Sequence, residues 1–401
     1  MLPYIFFILL TTVLSFFFDR QEEYKGRKKA WYIIVGVYLV LLAGLRNGVG
    51  GDTQYYMEAF EHVPTNSSEY LPYISQSMLS SGYMPGWTIL NIICKHLFNS
   101  FYAVQLIQAL IVNICVLYFF RQYTTHIFLC VLMYSFSNVY FSFNMEVLRE
   151  GIAIALSSVG MHMYIQDKKK WFFILAGCGV LFHISALIVF LFPFTNLKKI
   201  SLNTLICVFL LALGIFAISD TLFNRLGLFN SDSLHMQHIS KYASITLNYF
   251  GFLENAFHYM VISAGLIYFV QWATNDDEPW QKSYNRYMSF FLLISIIICS
   301  FIGFIRFRNY TMIFFVIMLT EFLYHIKSHI KYMPFAKIII LGSLLFFMCQ
   351  RYVYYYPQND RRYYEFFVPY TSVFDSEADT EYRKWMHEEA ISHETYSRDT
   401  E

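Results

Sequence analysis

The sequence predicts an all-α, polytopic membrane protein of about ten to twelve transmembrane helices. Two observations carry that prediction. Hydrophobic residues make up 57% of the 401-residue chain and charged residues only 14%, where a soluble domain carries about 25% charged residues. Apolar runs of span length recur from Met1 to Cys349. A net charge of +1 without any basic block offers nucleic acid no electrostatic footprint. The seven cysteines lie mostly inside apolar runs, without CxxC or paired spacing. They read as small buried hydrophobes, not as disulfides or metal ligands.

In chain order, spans are expected at 2–18, 31–45, 101–120, 126–142, 147–165, 200–219, 252–272, 287–305, 309–326 and 333–350. The run Leu2–Phe18 lacks a basic flank and a small-residue cleavage site, so a retained span is expected there. Two segments are ambiguous: 84–98 carries Lys95 and His96, and 171–194 carries His183 at its centre. Arg20, Lys25, Arg27, Lys28 and Lys29 assign the first loop to the cytoplasm and loop 46–83 to the outside. The favoured topology lays 84–98 at the interface and makes 171–194 a broken re-entrant pair. It places Arg46, Asp52, Arg149, Arg306 and Arg308 on the outer side, with both chain ends. Residues 1–350 then form one membrane domain, with outer loops 46–83 and 220–250 contributing to its site. Residues 351–401, Tyr- and Arg-rich and then charged, form a tail.

Four constellations bear chemistry. The first is the run Arg46-Asn47-Gly48-Val49-Gly50-Gly51-Asp52-Thr53-Gln54-Tyr55-Tyr56, where an apolar run stops. Glycines let backbone N–H groups approach an anion, and arginine can grip phosphate. Asp52 can accept a proton, or it can cap a helix running Thr53–Glu61, and both readings stand. The spacing is neither a Walker loop nor GxGxxG. The second is Glu146, Arg149, Glu150 and Gly151 at the head of a span. Arg149 is either half of an ion pair that anchors the helix end or a planar clamp for phosphate. The third is Phe182-His183-Ile184-Ser185-Ala186. A histidine in the middle of a membrane segment is a functional candidate by default, as a base or as a donor to a phosphate oxygen. The fourth is Arg306-Phe307-Arg308-Asn309-Tyr310 on an outer turn, a diphosphate site or a pair of snorkelling anchors. His235, His238, Lys241 and Tyr242 form a weaker cluster in loop 220–250.

Taken in order, these pieces resemble the EpsG family of Wzy-like polysaccharide polymerases. The residues that carry the likeness are Arg46, Gly48, Gly51, Asp52, Thr53 and Tyr56, then Arg149, Gly151 and Ala153. The basic turn Lys168–Lys170 follows, then Phe182, His183, Ser185 and Ala186, and last Arg306 with Tyr310. The likeness runs from about residue 30 to 200 and more loosely to 330; the tail departs from it. It implies a multi-pass bacterial inner-membrane enzyme with a GT-C-like helical fold and its site on the outer face. The implied substrate is an oligosaccharide repeat unit on polyprenyl diphosphate, polymerised into capsule, exopolysaccharide or O-antigen. Implied partners are the bilayer and, in the same pathway, a chain-length regulator and a flippase; nucleic acid is not among them. On this reading Arg149 and Arg306 or Arg308 hold the diphosphate, with Arg46 as a further candidate. Asp52 is the first choice for the base and His183 the second. Gly50, Gly51 and Tyr56 shape the loop that meets the acceptor. No metal and no cofactor are called for, because arginines supply the positive charge. A GT-C transferase of single sugars from polyprenyl phosphate remains a rival, as does a flippase for the same lipid-linked units.

Overall fold

The computed structural model describes residues 2–21, 23–197, 200–226, 249–257, 278–329, 355–356 and 361–375. Among the described residues, the regular structure is helical apart from one short ladder pairing Tyr355–Tyr356 with Arg361–Arg362 and a single antiparallel bridge between Arg46 and Ser372. The expected span 333–350, most of 252–272, and His235, His238, Lys241 and Tyr242 lie outside the described residues. Among the described residues, two helices are long and apolar enough to cross a membrane, Phe101–Tyr123 and Ser283–Ser300. A third candidate is the pair Ile127–Phe136 and Val139–Glu146, bent by 75°. Leu2–Phe18, Ile184–Phe194 and Leu202–Ile218 are apolar but shorter.

The chain divides into two compact units. The first holds Met1–Tyr73, Trp87–Ala155 and Ile330–Glu401. Here α1 (Leu2–Phe18) packs on α7 (Ile127–Phe136), and α2 (Gly26–Gly44) packs along α6 (Phe101–Tyr123). The burial pattern explains both pairs. In α2, Val35, Leu39, Leu42 and Ala43 are buried, a single stripe at helical spacing. Asp19, just past α1, accepts from the N–H groups of Phe128 (3.1 Å) and Leu129 (2.7 Å) at the start of α7. A carboxylate there satisfies orphan donors and faces the positive end of the helix dipole. Lys28 Nζ donates to the carbonyls of Gln21 (2.5 Å) and Thr125 (2.8 Å) in the same corner.

The run expected as a span over 126–142 is bent within its length. α7 stops at Phe136, and Asn138 takes a left-handed φ of 63°. Asparagine tolerates that region better than most residues, so it ends the helix cleanly. A short α8 (Val139–Phe141) and a π-helical turn (Ser142–Glu146) follow, and then α9 (Leu148–Ile165).

The second unit holds Ile74–Gly86 and Leu156–His329. The ambiguous segment 171–194 breaks at His183 into α10 (Lys169–Phe182) and a 3-10 helix (Ile184–Phe194). The two arms fold back on each other. Phe173 meets Phe190 with ring centroids 6.2 Å apart, and Phe172 meets Phe192 at 6.4 Å. Residues near the start of one arm touch residues near the end of the other, so His183 sits at the tip of a hairpin. At its base, Phe192 packs on Tyr287 (5.2 Å) and Phe290 (5.5 Å), and the Arg286 guanidinium lies 4.9 Å from the Tyr164 ring. In the same unit α11 (Leu202–Leu226) packs on α13 (Glu278–Ser300), as does α12 (Tyr249–Ala256). A 3-10 helix (Ile302–Arg308) then leads into α14 (Asn309–His329).

Candidate active site

In the first unit, the glycine-rich loop between α2 and α3 (Thr53–Glu61) is pressed onto the π-helical turn that precedes α9. Thr53 Oγ1 stands 2.8 Å from the Val49 carbonyl and 3.1 Å from the Met145 carbonyl, sharing its proton between them. Gly50 has φ +106°, and a Cβ there would collide with the Met145 carbonyl oxygen. Only glycine meets both demands. A Cβ at Gly51 would lie 3.9 Å from Glu146 Oε1, so the loop also borders that carboxylate. The first two constellations, about 90 residues apart in the chain, are thus one junction.

Asp52 occupies the N-cap position of α3, yet its side chain makes no capping hydrogen bond. Its backbone carbonyl accepts from Tyr56 N at 3.2 Å, which starts the helix without the carboxylate. Of the two readings of Asp52, the cap is the one this geometry does not use. The carboxylate is half-buried.

Arg149, half-buried in the first turn of α9, lies against Tyr56. Its Cζ is 5.8 Å from the Tyr56 ring centroid and its Nε is 3.5 Å from the Tyr56 hydroxyl, a long contact. Tyr56 is itself buried and packs edge-on against Trp87 at 5.3 Å. Glu146 and Arg149 do not share a regular helix, because Val147 (φ −93°, ψ 64°) separates the π-turn from α9. Gly151 permits that join: a Cβ there would strike the Phe143 carbonyl oxygen.

Arg46 has no exposed surface. Its guanidinium turns back under the loop, donating to the carbonyls of Ala43 and Val49, the latter at 3.0 Å. Its Nη2 has no hydrogen-bond partner among the described residues. Burial pushes the guanidinium down to about 10, opposed by the nearby Tyr140, Tyr370 and Tyr4, so it stays charged at neutral pH.

Sequence reasoning missed two supports of this loop. One is the C-terminal segment 363–375. Asn47 N donates to Thr371 O, Gly50 N to Phe366 O and Val373 N to Leu45 O, each at 2.9 Å. Thr371 Oγ1 adds a bond to Asn47 O at 2.5 Å, and Tyr370 OH reaches Leu42 O at 3.0 Å. The other is a row of buried amides on α6. Gln105 donates to Arg46 O (3.0 Å), Gln108 to Phe143 O (2.8 Å) and Asn113 to Asn144 Oδ1 (2.7 Å). The available signal was three amides within one apolar run, where polar side chains act as interhelical glue.

In the second unit, His183 Nδ1 lies 2.6 Å from Ser185 Oγ, which lies 2.8 Å from Tyr310 OH. Tyr310 opens α14 immediately after the 3-10 turn bearing Arg306, which is exposed, and Arg308, which is half-buried. That turn packs on the 3-10 arm of the hairpin. The structure therefore gathers Arg46, Gly50, Gly51, Asp52, Tyr56 and Arg149 in the first unit, and His183, Arg306 and Arg308 in the second.

Apolar helices of crossing length, with guanidiniums and carboxylates collected at helix junctions, define the class: a helical membrane protein with polar groups gathered at helix ends. The EpsG family model matches residues 29–372, and the chain belongs to that family, which is related to the Wzy-like polymerases. The match takes in the C-terminal segment through Ser372, beyond the reach of the motifs. Searches of curated proteins and of solved structures find no match.

Proposed function

We propose that this protein polymerises oligosaccharide repeat units carried on polyprenyl diphosphate into a surface polysaccharide such as capsule, exopolysaccharide or O-antigen. The work is done at the outer face of a bacterial inner membrane, by a multi-pass chain of GT-C-like architecture. One glycan leaves its carrier as the bond between its anomeric carbon and the diphosphate oxygen breaks. A hydroxyl of a second lipid-linked unit forms the new glycosidic bond and gives up its proton to Asp52. Arg149 in the first unit holds the diphosphate as its negative charge grows, since fixed cations in a site of low dielectric stabilise developing charge best; Arg306 and Arg308 in the second unit are further candidates for that role. Arg46 shapes the glycine loop from beneath. A flippase and a chain-length regulator of the same pathway are the expected partners.

One observation carries this reading. In a member of the EpsG family, a half-buried carboxylate that makes no capping hydrogen bond to α3 sits on a glycine loop seated against the helix head that bears Arg149.

Deletion of the gene, with gel analysis of surface glycan, tests the proposal. Single repeat units without long chains are expected. Units that lack one sugar would identify a monosaccharide transferase instead, and units trapped on the cytoplasmic side would identify a flippase.

A further inference from the structure

The hydrogen bonds at the hairpin tip have a direction. The backbone N–H of Ser185 points at His183 Nδ1, 3.3 Å away. An N–H can only donate, so Nδ1 is an acceptor and carries no proton in the neutral ring. The Ser185 hydroxyl, 2.6 Å from the same nitrogen, must then be the donor in that contact. Its oxygen is left to accept from the Tyr310 hydroxyl at 2.8 Å. The chain therefore runs one way, from Tyr310 O–H to Ser185 Oγ and from Ser185 O–H to His183 Nδ1. The proton of the neutral imidazole is placed on Nε2.

From this we infer that His183 meets the lipid-linked substrate as a hydrogen-bond donor through Nε2–H, not as a general base, and that Ser185 and Tyr310 are positioning residues that hold it in that tautomer. In that tautomer the ring's one lone pair, on Nδ1, is taken up by Ser185 and is not open to accept a proton from a hydroxyl. The surroundings match a donor. Arg306 and Arg308 precede Tyr310 on a turn packed against the His183 hairpin, so cationic donors border the same corner. Oxygens of a diphosphate are the acceptors that such a set recognises. The assignment rests on the diphosphate-linked substrate proposed above, and it leaves Asp52 as the base.

The test uses the full-length protein in lipid nanodiscs with 15N-labelled histidine. The His183 signals are identified by their loss in His183→Gln. We expect a neutral ring protonated at Nε2, and an Nε2 signal that moves on adding farnesyl diphosphate but not farnesol. A proton on Nδ1, or indifference to farnesyl diphosphate, overturns the inference. Ser185→Ala should shift part of the population to the Nδ1–H form, which a purely structural serine would not do. In cells, His183→Ala should lower polymer by about 10²-fold, as for loss of one transition-state donor. His183→Gln, which keeps an amide N–H at the same reach and has no basic nitrogen, should restore most of it; equal loss in both variants would favour the base. The tautomer is read without turnover. A gene deletion that still made full-length polymer would therefore remove the polymerase reading and leave the tautomer as measured.

Discussion

Arg46 and Arg149 are both guanidiniums beside the glycine loop, yet their surroundings give them different work. Arg46 is wholly buried and bonds to carbonyls of its own turn. Arg149 is half-buried and braced by an aromatic ring. A planar fork carries its donors on separate nitrogens in fixed directions, a spacing that a single ammonium nitrogen does not reproduce. Arg46→Lys should therefore lower thermal stability by about 1–3 kcal/mol, the usual range for a buried donor set left unmatched, measured by thermal shift in detergent. Arg149→Lys should leave that midpoint unchanged. Arg149→Ala should cut polymer by about 10²–10³ while the protein still inserts and folds; wild-type polymer length in that variant would remove Arg149 from the site. At Asp52 the missing cap bond makes a sharp prediction. Asp52→Asn, which keeps the cap's hydrogen-bonding ability but cannot take a proton at neutral pH, should fail as fully as Asp52→Ala. Recovery by Asn would return the carboxylate to a structural role.

At the scale of elements, the hairpin 169–194 holds His183 in the second unit and the C-terminal segment 363–375 holds the glycine loop in the first. The hairpin was foreshadowed by a histidine in the middle of an apolar run, since a straight span would bury that ring in lipid and a break lets it turn toward polar partners. The C-terminal segment left no such trace. Three of the five bonds described run between backbone groups, and backbone pairing carries no residue signature. The segment lies in a tail whose first part is rich in tyrosine and arginine, and that composition suggests a surface instead. A chain ended after Arg362 loses every hydrogen bond that holds Asn47 and Gly50 in place from this side. That truncation should abolish polymer while leaving α1, α2, α6 and α7 packed. A chain ended after Asp375 keeps those bonds and the whole of the family match, and it should retain polymer. Equal polymer from the two truncations would show that the loop holds its shape without this support.

For the whole molecule, helical character was legible because it rests on periodicity and composition, whereas the joining of loop to helix head came only from the structure, since the two lie far apart in the chain. The α6 amides were harder to read, because a glutamine among apolar residues gives no hint of which carbonyl it will reach. The broken run at Asn138 was hidden because a single left-handed residue leaves hydropathy unchanged. One consequence belongs to the molecule as a unit. The glycine loop around Asp52 has no Gly-Lys-Ser/Thr sequence, so it is not built to cradle a nucleotide triphosphate. In the proposed reaction the free energy for each new glycosidic bond is already stored in the bond between sugar and diphosphate. Purified protein in sealed vesicles, given only lipid-linked repeat units on the leaflet that bears the loop, should therefore build chains without nucleotide and without an ion gradient. Chain growth should also survive a protonophore. A transporter of the same units would behave otherwise, moving lipid across the bilayer without lengthening any glycan. If length distributions on a gel collapse when the gradient is removed, the energy source lies elsewhere and the polymerase reading fails.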